Sequence, residues 1–158
     1  MEIIEKQYLS VESLLSYKTR STYGRLGKLI DHISKSLELL EFEQIGNIIF
    51  SLKENTYDTD ETILDLEFLV PVDKKFKSNE FYVYKPEFKI FNAVRARHIG
   101  TYDTLINSRN KMQKYLSQKC YQPITDFYYY INGSNLVDIY VGINGNKKES
   151  GGQICPPN

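Results

Sequence analysis

The feature that most constrains this chain is an internal repeat: residues 2–52 slide onto 81–131 without a gap, a shift of 79 positions. Such self-similarity decides architecture before any single element is read. The shift superposes Lys6 on Lys85, Thr22 and Tyr23 on Thr101 and Tyr102, and Leu26 on Leu105. Lys35, Leu37 and Ile45 then fall on Lys114, Leu116 and Ile124, while Ile33 on Met112, Phe42 on Tyr121 and Phe50 on Tyr129 keep apolar character. The chain reads as two copies of one unit.

Each copy carries a helical stripe. Leu26, Leu29, Ile30, Ile33, Leu37 and Leu40 recur at spacings of three and four in the first, and Leu105, Met112, Tyr115 and Leu116 mark the second. Thr22 and Thr101 stand where an N-cap hydroxyl accepts from the first free amides, and Asp103 lies where negative charge favours the helix dipole. Val11 to Thr19 and Ile90 to His98 supply a β-rich stretch before each helix. IIFSL at 48–52 and FYYYI at 127–131 supply one after it. A polar connection leads to ILDLEFLV at 63–70 and LVDIYVGI at 136–143; aligning Asp65 with Asp138 lowers the shift there to 73. Each unit is strand, helix, strand, strand, so the predicted fold is a duplicated α+β domain. One domain over 1–143 is expected, made of repeats 2–72 and 81–143, with 144–158 as a flexible C-terminal tail poor in apolar residues.

Composition narrows the function. Twenty Lys+Arg balance twenty Asp+Glu, so the positive field that holds a phosphate backbone is missing and no direct nucleic-acid partner is expected. No apolar run reaches the roughly 18–20 residues of a membrane span, and the first residues lack the basic and apolar regions of a signal peptide, so a soluble, cytoplasmic protein is predicted. Residues 1–79 hold 10 basic and 14 acidic groups (net −4) and residues 80–158 hold 10 and 6 (net +4), so the halves should attract. Cys120 and Cys155 suggest neither a disulfide framework nor a thiolate metal site, and two free thiols are expected. Thirteen Tyr and eight Phe suit both cores and ligand sites.

The second copy, FNAVRARHIGTYDTLINSRNKMQKYLSQKCYQP at 91–123 followed by FYYYI and VDIYVGI, resembles the GyrI-like small-molecule-binding family of effector-binding domains. The resemblance rests on an apolar strand, Arg97, Gly100, Tyr102 and the helix begun by Leu105, and it extends over residues 2 to about 143. It implies two strand-helix-strand-strand units forming one curved antiparallel sheet, with both helices on one face and a ligand groove on the other. In copy one Ser21 stands where copy two has Gly100, and the Glu and Pro that the family places on its last strand are Glu67 and Pro71, in the first copy. The first unit begins within a few residues of Met1, so a stand-alone module is expected.

Strand alternation separates the two faces independently of any family. Leu64, Leu66, Phe68 and Val70, and likewise Val137, Ile139, Val141 and Ile143, form apolar rows that belong under the helices. Asp65, Glu67, Asp138 and Tyr140 then line the opposite face. The same parity puts Phe127, Tyr129 and Ile131 under the helices and aims Tyr128 and Tyr130 at the groove; Tyr82 and Tyr84, alternating with Val83, extend the aromatic lining. The predicted ligand-binding set is therefore Glu67, Tyr128, Tyr130, Tyr140, Asp138, Tyr82 and Tyr84.

Tyrosine walls with a few carboxylates suit a planar hydrophobic or cationic small molecule, held by ring stacking, cation–π attraction and one charge contact. Neither His32 nor His98 has a second ligand at metal spacing, and no cofactor motif is present, so no metal, cofactor or catalytic residue is assigned. A non-enzymatic sensor or sequestering protein is the first reading. A protein-interaction module of gyrase-inhibitor type, using Glu54, Asp58, Asp60 and Glu61, is the second, and a hydrolase using the groove acid Glu67 is the third.

Overall fold

The computed structural model describes residues 1–55 and 62–144. The expected tail from 145 onward, and Asp58, Asp60 and Glu61 of the proposed contact surface, lie outside the described residues. Seven strands and two helices follow in the order β1 (Ile3–Ser21), α1 (Leu26–Leu39), β2 (Ile49–Asn55), β3 (Ile63–Pro71), β4 (Tyr82–Ile99), α2 (Leu105–Lys119), β5 (Gln122–Pro123), β6 (Tyr128–Gly133) and β7 (Leu136–Asn144). This is an α+β fold of two strand-helix-strand-strand units; the two-residue β5 of the second copy is matched in the first by the single bridge of Gln44 to Val72.

The strands form one antiparallel sheet in the order β4-β1-β3-β2-β6-β7-β5, and β4 also pairs with β7, so the sheet curves until its two sides meet. A pseudo-twofold axis accounts for the pattern. The pairs β1–β3 and β4–β7 correspond, as do β2–β3 and β6–β7, while β2–β6 and β1–β4 each join one copy to the other. The repeat extends to backbone conformation: Ser13 and Asn92 both take positive φ (59° and 47°), as do Glu41 and Cys120 (64° and 56°), each pair 79 positions apart. Glu41 and Cys120 stop their helices in the same way, since Phe42 N donates to Leu37 O and Tyr121 N to Leu116 O, both at 2.9 Å.

Leu26, Ile33 and Leu37 of α1 are buried, as are their equivalents Leu105, Met112 and Leu116 of α2. Both helices pack on the same side of the sheet, over Phe50, Leu64, Leu66, Phe68, Val137 and Ile139. The alternation thus assigns the helix-side rows correctly. Thr22 and Thr101 do not cap as expected: a 3-10 turn (Tyr23–Arg25, Tyr102–Thr104) intervenes before each helix, and neither threonine makes a side-chain capping bond.

Three further differences matter. First, the β-rich stretches before the helices are only the inner halves of β1 and β4; the outer half of each strand pairs with the inner half of the other, from Ile3 opposite Ala96 to Tyr17 opposite Tyr82. Second, the strand register equates Glu67, not Asp65, with Asp138: Lys18 pairs with Glu67 as Arg97 pairs with Asp138, so the shift on the last strand is 71. The difference of two residues preserves parity, which is why the faces survive it. Third, Cys120 is disulfide-bonded and no cysteine among the described residues is a free thiol, correcting the expectation of two thiols.

The charge asymmetry of the halves is used. Three ion pairs among the described residues join a base of the second copy to an acid of the first: Lys85–Glu67 (2.8 Å), Arg109–Glu54 (2.9 Å) and Arg95–Glu2 (3.6 Å). No helix is long and apolar enough to cross a membrane among the described residues.

Candidate functional site: the concave tyrosine face

The face turned away from the helices carries its own apolar cluster, in which Leu14, Ile49, Leu69, Ile90, Ala93 and Tyr140 are buried and Phe88, Tyr128 and Tyr130 pack against them. Phe88 of β4 and Tyr128 of β6 belong to strands that are not neighbours, yet their rings meet edge to face with centroids 4.6 Å apart. This face is therefore the inside of the curve. Gly142 permits the close approach at its rim, because a β-carbon there would lie 2.8 Å from Thr125 Cγ2 and 3.0 Å from Ile90 Cγ2.

Cross-strand pairing lays out two rows over this face. One runs Arg95, Tyr140, Tyr128, Ser51, Glu67, Lys18; the other runs Arg97, Asp138, Tyr130, Ile49, Leu69, Ser16. The pseudo-twofold converts one row into the other, so Tyr128, Tyr130 and Tyr140 occupy the places that Ile49, Ser51 and Leu69 hold in copy one. The aromatic character of the site comes from the second copy. Tyr130 and Tyr140 lie edge to face at 6.4 Å. Burial raises the phenol pKa values of Tyr128 and Tyr140, so both rings are neutral at ordinary pH.

The two acids of the set are equivalent in position and both are already partnered. Glu67 Oε2 accepts from Ser16 Oγ at 2.6 Å and from Lys85 Nζ at 2.8 Å. Partial burial opposes its ionisation, but the hydrogen bonds from Lys85 and Ser16 and the charges of Lys85 and Lys18 outweigh it and hold the carboxyl below the usual carboxylate range. Asp138 is buried; Arg97 donates to it through Nε (2.9 Å) and Nη2 (3.2 Å), and Asn132 Nδ2 donates at 3.1 Å. Neither carboxylate is a vacant cation acceptor.

Of the predicted set, Tyr128, Tyr130 and Tyr140 come together, with Glu67 and Asp138 beside them on the same face. Tyr82 and Tyr84 do not join them. They pair with Tyr17 and Leu15, two residues packed on the helix side, and Tyr84 meets the Phe76 ring there at 5.3 Å. The residues that β4 presents to the concave face at this point are Val83 and Lys85, opposite Ser16 and Leu14. Tyr82 instead lines a helix-side cavity of about 100 Å³ with Tyr17, His32, Ile33 and Leu37. Lys85 and Phe88 were missed as members of the concave face; the identity of Lys6 with Lys85 marked the position in the repeat but not its partner.

Other polar clusters have structural roles. His98 is buried, with Nε2 donating to Thr101 O at 3.0 Å and Nδ1 at 2.7 Å from Ser108 Oγ. Glu5 accepts from the hydroxyls of Tyr115 and Tyr121 and ties the outer half of β1 to the end of α2. Among the described residues no group of His, Cys, Asp and Glu is arranged to hold a metal ion.

The sheet and helix arrangement defines the fold class, and solved structures share it. EcmrR in its cryo-EM complex with DNA superposes with a TM-score of 0.66 at 16% identity, over 90% of this chain and 57% of that one. The EcmrR C-terminal domain alone gives 0.64 at 17% identity, over 91% and 99%. SAV2435 bound to tetraphenylphosphonium gives 0.53 at 10% identity, over 97% and 100%. This chain thus spans 57% of the length of EcmrR in that complex. No protein-family model and no curated protein matches the sequence.

Proposed function

We propose that this chain is a GyrI-like small-molecule-binding protein, a sensor or sequestering module rather than an enzyme, and that its ligand is an aromatic compound seated on the concave face. The observation that carries the reading is the convergence of Tyr128, Tyr130 and Tyr140 with Phe88 inside the curve of the sheet, beside apolar Ile49 and Leu69. Such a surface binds rings by area and edge-to-face contact. The fold shared with SAV2435, which was solved with tetraphenylphosphonium, is consistent with it. The planar hydrophobic half of the sequence expectation fits this geometry directly. A cation, by contrast, has to compete with Lys85 for Glu67.

Hydrolysis through Glu67 is disfavoured, because a carboxyl held below its usual range is a poor proton donor near neutrality. The test is a thermal-shift screen with tetraphenylphosphonium and planar aromatic compounds. A compound at 100 times its Kd adds about 2.7 kcal/mol to stability, so the wild-type Tm should rise and Tyr130→Ala should lose the rise. A rise that persists in both Tyr128→Ala and Tyr130→Ala would place the ligand elsewhere.

A further inference from the structure

The charges of the concave face do not add up to a cation site. Lys18, Lys85, Arg95 and Arg97 face two carboxylates, Glu67 and Asp138, in the two rows and the strand beside them. Lys85 is taken up by Glu67 and Arg97 by Asp138, the latter through two nitrogens. Lys18 is exposed and solvated.

Arg95 differs from the other three. It stands opposite Tyr140 at the head of the aromatic row, with its side chain only 19% exposed. Its Nε is buried and makes no hydrogen bond. The carboxylate nearest to it, Glu2, is 63% exposed and lies 3.6 Å from Nη2, beyond hydrogen-bond length. A buried N–H left unmade is costly, and a guanidinium recognises carboxylates through a fork of donors. Arg95, Tyr140 and Tyr128 sit on three successive strands, so the guanidinium strand and the Tyr128 strand are about 10 Å apart, two strand spacings. That is the reach of a fused-ring acid.

We propose that the concave face takes an aromatic molecule bearing an anionic oxygen group, most simply a carboxylate, with the rings on Tyr128, Tyr130 and Tyr140 and the anion on Arg95. The proposal rests on the small-molecule reading above and names the ligand class for that same site. Arg95 is its specificity-determining residue. Glu67 and Asp138 serve to hold Lys85 and Arg97, whereas Arg95 keeps a buried Nε without a hydrogen bond and only the long, exposed contact to Glu2.

Three probes of one shape test it: 2-naphthoate, the neutral 2-naphthamide, and 2-naphthylmethylammonium, titrated calorimetrically into the full chain. The carboxylate should bind about tenfold or more tightly than the amide, as a charge-assisted hydrogen bond requires, and the ammonium should bind most weakly. Arg95→Met should remove the preference for the carboxylate while leaving the amide unchanged. Arg95→Lys, which keeps the charge, should retain part of it and guards against a folding defect in the methionine variant. Ammonium binding equal to or tighter than carboxylate binding, or a carboxylate preference that persists in Arg95→Met, overturns the proposal and leaves the small-molecule reading standing. Binding of none of the three overturns both.

Discussion

Phe50 and Tyr129 stack at the pseudo-twofold axis, with ring centroids 5.0 Å apart and planes 11° from parallel. They are the same position in the two copies, 79 residues apart, and they face each other across the β2–β6 pair that joins the copies. Both are buried on the helix side, leaving Ser51 opposite Tyr128 and Ile49 opposite Tyr130 on the concave face.

This stack should behave as the joint between the halves. Phe50→Ala is expected to cost about 3–5 kcal/mol, as large aromatic truncations in cores do. A double-mutant cycle with Tyr129→Ala should return a coupling of about 0.5–1.5 kcal/mol. Urea unfolding of the two single variants and the double variant measures it, and additive losses would mean the rings do not act as a pair.

Strand parity is checked by truncation under the helices. Leu66 and Ile139 are buried on the helix side in different copies, and replacing either by Ala should cost about 2–5 kcal/mol. From the sequence alone Glu67→Gln would be nearly neutral or stabilising. With Lys85 and Ser16 on its carboxylate it should instead cost about 1 kcal/mol, the scale of a partly exposed ion pair. Chemical-denaturation midpoints rank the three variants, and a Glu67→Gln loss larger than that of Leu66→Ala would invert the faces.

Much of this was legible before any coordinates. Apolar residues at every second place on β3 and β7 identified the helix side, and the same counting aimed Tyr128 and Tyr130 inward. Counting failed for Tyr82 and Tyr84. Their side is set by pairing with β1, and β1 and β4 carry irregular register and positive-φ residues at Lys6, Ser13 and Asn92, which break a period of two. The partners of Glu67 were illegible for a different reason: Ser16 and Lys85 lie 51 and 18 positions away, and local pattern holds no record of such tertiary pairing.

Acid should weaken the fold through Glu67 and Glu5. Burial opposes ionisation of Glu5, but hydrogen bonds from Tyr115 and Tyr121 and the charges of Lys119 and Lys6 hold its carboxyl, like that of Glu67, below 4.5. Groups depressed in the folded state contribute stability that is complete above the unfolded value and is lost as pH falls through the folded one. Stability should thus be flat above about pH 5 and decline below it. Unfolding midpoints between pH 6 and pH 2.5 should show that decline, shallower in Glu67→Gln; an identical slope would remove Glu67 from the effect.

Glu5 has a second, alkaline signature. Burial and the hydrogen bond to Glu5 push the Tyr115 phenol up to about 12. Ultraviolet titration of the tyrosines should show Tyr115→Phe deleting a component that ionises late, whereas loss of an early component would mean the phenol is not held by Glu5.

Backbone amide chemical-shift mapping separates a compound seated on the concave face from one held in the helix-side cavity beside Tyr17, His32 and Tyr82. With the tightest binding of the three naphthyl probes, perturbations should concentrate at Arg95, Tyr128, Tyr130 and Tyr140 and leave the amides around Tyr17, His32 and Tyr82 unmoved. Perturbations centred on Tyr17, His32 and Tyr82, with the concave face silent, would contradict the assignment of the site.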